Sequence, residues 1–142
     1  MRGPEPGSLR LDGQPELLRS WNRDNLEHYW RPWALAVQRA PRARFRLRAG
    51  WSTAWGMLGP PRLHHTIATG DVISKERAGE YALDVFPARW HPLIGDALAY
   101  RRGEPSRLGL PLGERARRTA EFVLEVVDAA PEMSRRVRGE SR

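Results

Sequence analysis

Proline and glycine divide this chain into pieces, and between them hydrophobic residues recur every three or four positions. Pro41, the Pro60-Pro61 pair, Gly70, Pro87, Pro92, Gly103 and Pro131 punctuate stretches of roughly helical length. Proline lacks a backbone donor and clashes with the preceding turn. Glycine takes up the left-handed conformation in which helices stop. No alternating apolar run between these marks is long enough to demand a sheet, and no segment repeats. The predicted class is all-α, a single bundle of about five helices.

The first predicted helix starts near Pro15 and carries Leu18, Trp21, Asn25 or Leu26, Tyr29, Trp33 and Val37 on one stripe, with a bend near Pro32. After Pro41, Arg42, Arg44, Arg46 and Arg48 alternate with Ala43, Phe45 and Leu47. That period suits a strand, and a loop is equally compatible. A second helical stretch, Trp51 to Thr69, has Trp51, Trp55, Leu58, Leu63 and Ile67 on one face; Pro60 and Pro61 are expected to kink or break it, and Gly70 to end it. Ser74 is a cap for a helix from Lys75 to Phe86, Pro92 opens another that Gly103 ends, and Glu114 to Ala130 forms the last. Residues 1–13 read as a linker, 14–130 as one helical domain, and 131–142 as a flexible, frayed tail.

A chain of 142 residues has room for one core and no second catalytic domain. The absence of cysteine removes disulfides, thiolate metal sites and thiol nucleophiles together. The longest uncharged stretch, Ala49 to Pro61, is far short of the roughly 20 apolar residues a membrane helix needs, and the N-terminal residues contain no apolar signal core. A cytoplasmic protein without a membrane partner is the expectation.

Of 24 basic residues 23 are arginine, and Lys75 is the only lysine. The net charge of +7 is unevenly placed: residues 35–70 hold six arginines and no acid, while the flanking segments are nearly balanced. The segment Arg39 to Arg48 is therefore the candidate surface for nucleic acid or another anion.

His64 and His65 are adjacent and point about 100° apart on a helix, so they cannot share a metal ion, and His28 and His91 lack matching carboxylates. No metal site is assigned. There is also no Gly-x-Ser-x-Gly elbow to support a hydrolase. Tyr29, Trp30 and Trp33 cannot all face one way, so one of them belongs at a surface or cleft. A helix stop at Thr69-Gly70 followed by a capped start at Ser74-Lys75 places an ammonium beside free backbone N–H groups, an arrangement suited to phosphate.

The stretch Arg62-Leu-His-His-Thr-Ile-Ala-Thr-Gly-Asp-Val-Ile-Ser-Lys75, with Tyr81-Ala-Leu-Asp-Val-Phe-Pro and Pro92-Leu-Ile-Gly-Asp-Ala-Leu-Ala-Tyr100 after it, resembles the C-terminal helical domain of the aminoglycoside nucleotidyltransferases that adenylylate streptomycin and spectinomycin. Asn25-Leu-Glu-x-Tyr-Trp is similar to the first helix of that domain. The resemblance covers roughly residues 14 to 130. It implies a protein of two domains, in which an N-terminal nucleotidyltransferase domain holds magnesium on paired aspartates while the C-terminal helices close over ATP and hold the antibiotic. It further implies that Lys75 reaches the phosphates of ATP, that Tyr100 helps hold the nucleotide, and that Trp33 corresponds loosely to a tryptophan packing on the drug.

The departures from the family pattern are as informative. Gly7-Ser8 is followed by Asp12 with no aspartate two residues on, so the magnesium pair is missing from this chain. Ser52 stands where the family places a drug-gripping aspartate, and the arginine-rich segment repels a polycation, which counts against an aminoglycoside acceptor. The expectation is a detached or truncated C-terminal domain, inactive alone, that works with a nucleotidyltransferase domain encoded elsewhere or lost from the annotated start. The alternative is a stand-alone helical module using Arg39 to Arg48 on nucleic acid or another anion.

Overall fold

The structure is a computed structural model that describes residues 14–39, 49–106 and 108–140. Five helical runs account for most of them. Helix α1, Gln14–Asn25, passes through a π-helical turn, Leu26–Trp30, into α2, Arg31–Arg39. Helix α3 spans Ala49–Thr69, α4 Lys75–Val85, α5 His91–Arg101 after a 3-10 turn at Ala88–Trp90, and α6 Leu112–Glu140. No strand occurs among the described residues, and the all-α bundle is as predicted.

Helix α3 is the central element and packs against α1, α4, α5 and α6. Its burial reaches around the helix: Thr53, Ala54, Met57, Leu58, Pro60, His64, Thr66 and Ile67 are all inside. Of the expected kink or break at Pro60 and Pro61, the break does not occur, because α3 runs through both. The residue before Pro60 is Gly59, which has no Cβ for the proline ring to strike, and the packing helices offset the two missing backbone donors. Gly70 then ends the helix as predicted, with φ of 85° and its N–H on Thr66 O at 2.7 Å.

The stripe read along α1 and α2 also needs correction. Trp21 and Tyr29 are exposed, and the buried positions are Leu26, Trp30, Ala34 and Val37. The π turn accounts for the shift from Tyr29 to Trp30. Arg31 N–H bonds to Leu26 O, five residues back, and the extra residue rotates every later side chain by about 100°. Pro32 follows directly and has no N–H with which to restore the ordinary ladder.

Two hydrophobic clusters share α3 and α6. One gathers Met57, Leu58, Ala82, Phe86, Trp90, Ile94, Phe122 and Val126; the other gathers Leu26, Trp30, Ala34, Ile67, Ala120, Val123 and Val127. Helix α6 serves both because it is buried along two stripes, the predicted one through Ala120, Val123 and Val127 and a second through Arg115, Thr119, Phe122 and Val126. Its backbone continues through Pro131 to Glu140, past Ala130 where the sequence reading ended the helix.

Candidate functional site

The connection between α3 and α4 is tied by side chains of α3's last turns. Arg62 Nε donates to Ile73 O at 2.7 Å, and Thr66 Oγ1 donates to Asp71 O at 2.9 Å. Thr69 Oγ1 accepts from Asp71 N–H at 3.0 Å. Arginine and threonine at four-residue spacing reach one edge of the helix, and here that edge faces the returning chain. Ser74 then caps α4 as predicted, its Oγ accepting from Arg77 N–H at 3.1 Å.

Lys75 is the first residue of α4 and is half-buried. It makes no hydrogen bond or ion pair with any described residue. Tyr100 lies in the last turn of α5 with 47% of its surface exposed. Just beyond it Arg102 donates to Glu76 Oε2 through Nη2 at 2.9 Å and Nε at 3.2 Å. This contact joins the end of α5 to the start of α4, so the chain neighbours Lys75 and Tyr100 lie at the same end of the antiparallel α4–α5 pair. Gly103 closes α5 with φ of 75°, its N–H on Tyr100 O at 3.1 Å.

Trp33 belongs to a different region. Its ring packs edge-on to Trp30 and Trp55, with centroids 5.6 and 5.1 Å away, and its tip lies against Gly56. Trp55 and Lys75 are separated by most of α3, roughly 20 Å at 1.5 Å per residue. Lys75 and Tyr100 thus lie at one end of the α4–α5 pair, with no hydrogen bond between them, and Trp33 packs at the far end of α3. Of the three neighbouring aromatics, Tyr29 is the exposed one, at 50%. Arg42, Arg44, Arg46 and Arg48 lie outside the described residues, as do Gly7, Ser8 and Asp12 and the side chains of Trp51 and Ser52.

His64 is buried and shares a hydrogen bond of 2.7 Å between its Nδ1 and Tyr81 OH. Burial lowers its pKa to about 4, with a smaller push from His65, and burial raises that of Tyr81. A neutral His64 is therefore a packing and hydrogen-bonding group at neutral pH. Among the described residues no group of three or more histidines and carboxylates is placed to hold a metal ion, and no helix is long and apolar enough to cross a membrane.

Two features escaped the sequence reading. Asp96 and Arg115 form an ion pair with each side chain only 7% exposed, and Arg115 Nη2 also donates to Ser106 Oγ at 3.1 Å. An arginine on the Thr119, Phe122, Val126 stripe was the available signal. Beside the pair is a cleft of about 420 Å³ lined by Pro92, Gly95, Asp96 and Ala99 of α5 and by Glu104, Pro105 and Leu108. The second feature is the Arg102–Glu76 contact, which no local pattern announces because the partners are far apart in the chain.

A family model described as aminoglycoside adenylyltransferase, C-terminal domain, matches residues 41–126, more than half of the chain. The chain belongs to this family. No curated protein and no solved structure matches it. In this aminoglycoside adenylyltransferase C-terminal domain the matched residues take in α3, α4, α5 and about half of α6, and with them Lys75, Tyr100 and the clasp between Arg102 and Glu76.

Proposed function

We propose that this domain supplies the nucleotide-closing, acceptor-holding half of an adenylyl transfer from ATP to a hydroxyl group. In that reaction the acceptor oxygen bonds to the α-phosphorus, the bond to the β-phosphate oxygen breaks, pyrophosphate leaves and the hydroxyl proton passes to a base. Charge builds on the departing phosphates, and a fixed ammonium beside them stabilises the transition state more than the ground state. Lys75 is the group for that role. It stands at a capped helix start whose backbone donors face the same way, and it has no competing ion among the described residues. Tyr100, at the same end of the α4–α5 pair, is the group that holds the nucleotide.

The observation that carries this reading is the unpaired ammonium of Lys75 at that helix start within a family match that names an adenylyltransferase domain. The described residues do not fit magnesium: the carboxylate nearest Lys75 in the chain, Glu76, is engaged by Arg102. Magnesium and the catalytic base therefore belong to a nucleotidyltransferase domain outside these residues. This chain alone is expected to transfer no nucleotide to an aminoglycoside.

The test joins this chain to a nucleotidyltransferase domain of the family and follows pyrophosphate release with streptomycin and spectinomycin. In the closed cleft Lys75→Ala is expected to lower adenylylation by about a hundredfold, in line with the ~2.7–4 kcal/mol carried by a group aimed at developing charge. Tyr100→Phe removes a hydroxyl and no charge, so it is expected to cost less. An active fusion indifferent to Lys75→Ala would overturn the role given to this residue.

A further inference from the structure

Lys75 begins a helix whose next residue, Glu76, is an acid in the same first turn. Glu76 is 47% exposed and bonds through one oxygen, Oε2, to both Nε and Nη2 of Arg102. Glu80, one turn further along α4, and Glu104, just beyond α5, also lie within electrostatic reach of Arg102. Arg102 is thus a guanidinium acted on by three carboxylates, at the end of the α4–α5 pair where Lys75 starts its helix.

Two readings of the clasp differ in the sign of an effect. If it only fastened α5 to α4, loss of either partner would loosen the same contact. The energetics argue against that reading: both side chains are nearly half exposed, and solvent screening leaves such a pair little to contribute as a fastener. A polyanion changes the balance, because each of its charges is repelled by an uncompensated carboxylate and the repulsion grows with the ligand's charge.

We propose that Arg102 is a positioning residue for the phosphates of ATP, acting by neutralising Glu76 so that Lys75 faces the ligand without a competing negative charge. The proposal rests on the nucleotide reading of Lys75. It predicts opposite effects from the two halves of one ion pair. Arg102→Gln bares Glu76 and weakens ATP binding; Glu76→Gln removes the repulsion and strengthens it; the double variant returns close to the parent.

The experiment is an NMR titration of the isotopically labelled 142-residue chain with ATP into the millimolar range, with adenosine as the phosphate-free control. The expected weakening for Arg102→Gln is about three- to tenfold and the strengthening for Glu76→Gln about two- to threefold. Both should shrink in about 0.5 M salt, where charges are screened beyond a few ångströms. Adenosine should respond to neither. Parallel losses in the two single variants, or no change in either while Lys75→Ala abolishes the ATP-dependent shifts, would overturn the role of Arg102 and leave the nucleotide reading standing. Absence of ATP-dependent shifts around Lys75 in every form of the chain would overturn this inference, whereas the nucleotide reading stands or falls with Lys75→Ala in the fusion.

Discussion

The cluster beneath α4 and α5 is pinned by buried polar contacts, whereas the cluster beneath α1 and α2 is set by the shapes of large rings. In the first, His64 meets Tyr81 OH, Asp96 meets Arg115, and Trp90 Nε1 donates to Glu125 at 3.0 Å. In the second, Tyr29, Trp30, Trp33 and Trp55 interlock with centroids 4.2–5.7 Å apart, and glycines of α3 make the room they need. The ion pairs at its margin, Arg31 with Glu27 and Asp128, are substantially exposed and contribute little. Buried polar contacts are directional and fix the relative placement of α3, α4 and α5, on which the end bearing Lys75 and Tyr100 depends. Ring packing needs only volume and tolerates polar change at its rim. The first region should therefore fail when a single partner is removed or protonated, and the second when its volume is altered.

Asp96→Ala is the most severe test of the first region. It strands the Arg115 guanidinium, whose Nε already lacks a partner, in a site with 7% exposure. Removing one member of such a pair costs about 3–5 kcal/mol, while replacing both by apolar residues of similar size is often close to neutral. Urea unfolding is expected to show that loss for Asp96→Ala and recovery of most of it in Asp96→Leu combined with Arg115→Met. A single variant losing less than about 1 kcal/mol would show that the pair does not hold this region together.

Acid should act on the same region. The pKa of His64 is lowered from 6.5 to about 4 in the folded protein, so the unfolded chain binds this proton more readily. The stability that a neutral His64 contributes is complete above about pH 6.5 and is lost progressively as pH falls through about 4. The loss reaches up to about 3 kcal/mol by the linkage relation. His64→Leu also gives up the hydrogen bond to Tyr81, so it is expected to be less stable at neutral pH. Its unfolding midpoint should nevertheless fall less between pH 7 and pH 4 than that of the parent. Parallel falls in the two proteins would assign the acid sensitivity to other groups.

The two regions were not equally readable from sequence. In the α4–α5 half the boundaries are written in local chemistry: Gly70 and Gly103 take positive φ, Ser74 caps, and Pro92 opens α5. Each of these acts within a turn of its own position, so a linear reading finds them. The α1–α2 half turns on the extra residue of the π turn, which displaced the apolar stripe from Tyr29 to Trp30. Periodicity carries no warning of such an insertion beyond Pro32. At the candidate site the helix start at Lys75 was legible because the Ser74 cap marks it within one turn. The Arg102–Glu76 contact and the Asp96–Arg115 pair were not, since both depend on how α5 folds back onto distant elements.

The shape-dependent half is tested by one substitution made at two places. Glycine to alanine within a helix ordinarily stabilises by up to about 1 kcal/mol, because alanine restricts the unfolded chain. A Cβ on Gly59 would lie 2.6 Å from Trp30 Cζ2 and 2.9 Å from its Cη2. That ring has nowhere to go, since Tyr29, Trp33 and Trp55 all pack against it. Overpacking of this kind costs about 1–3 kcal/mol, which exceeds the helix gain, so Gly59→Ala is expected to be net destabilising by about 1 kcal/mol. A Cβ on Gly95 meets nothing within 4 Å, so there the same change should stabilise by up to about 1 kcal/mol. Thermal unfolding of the two variants should move in opposite directions, with the near-ultraviolet circular dichroism of the tryptophans perturbed only in Gly59→Ala. If both proteins became more stable, Trp30 would be free to yield, and the interlocked rings could not be what sets the second region.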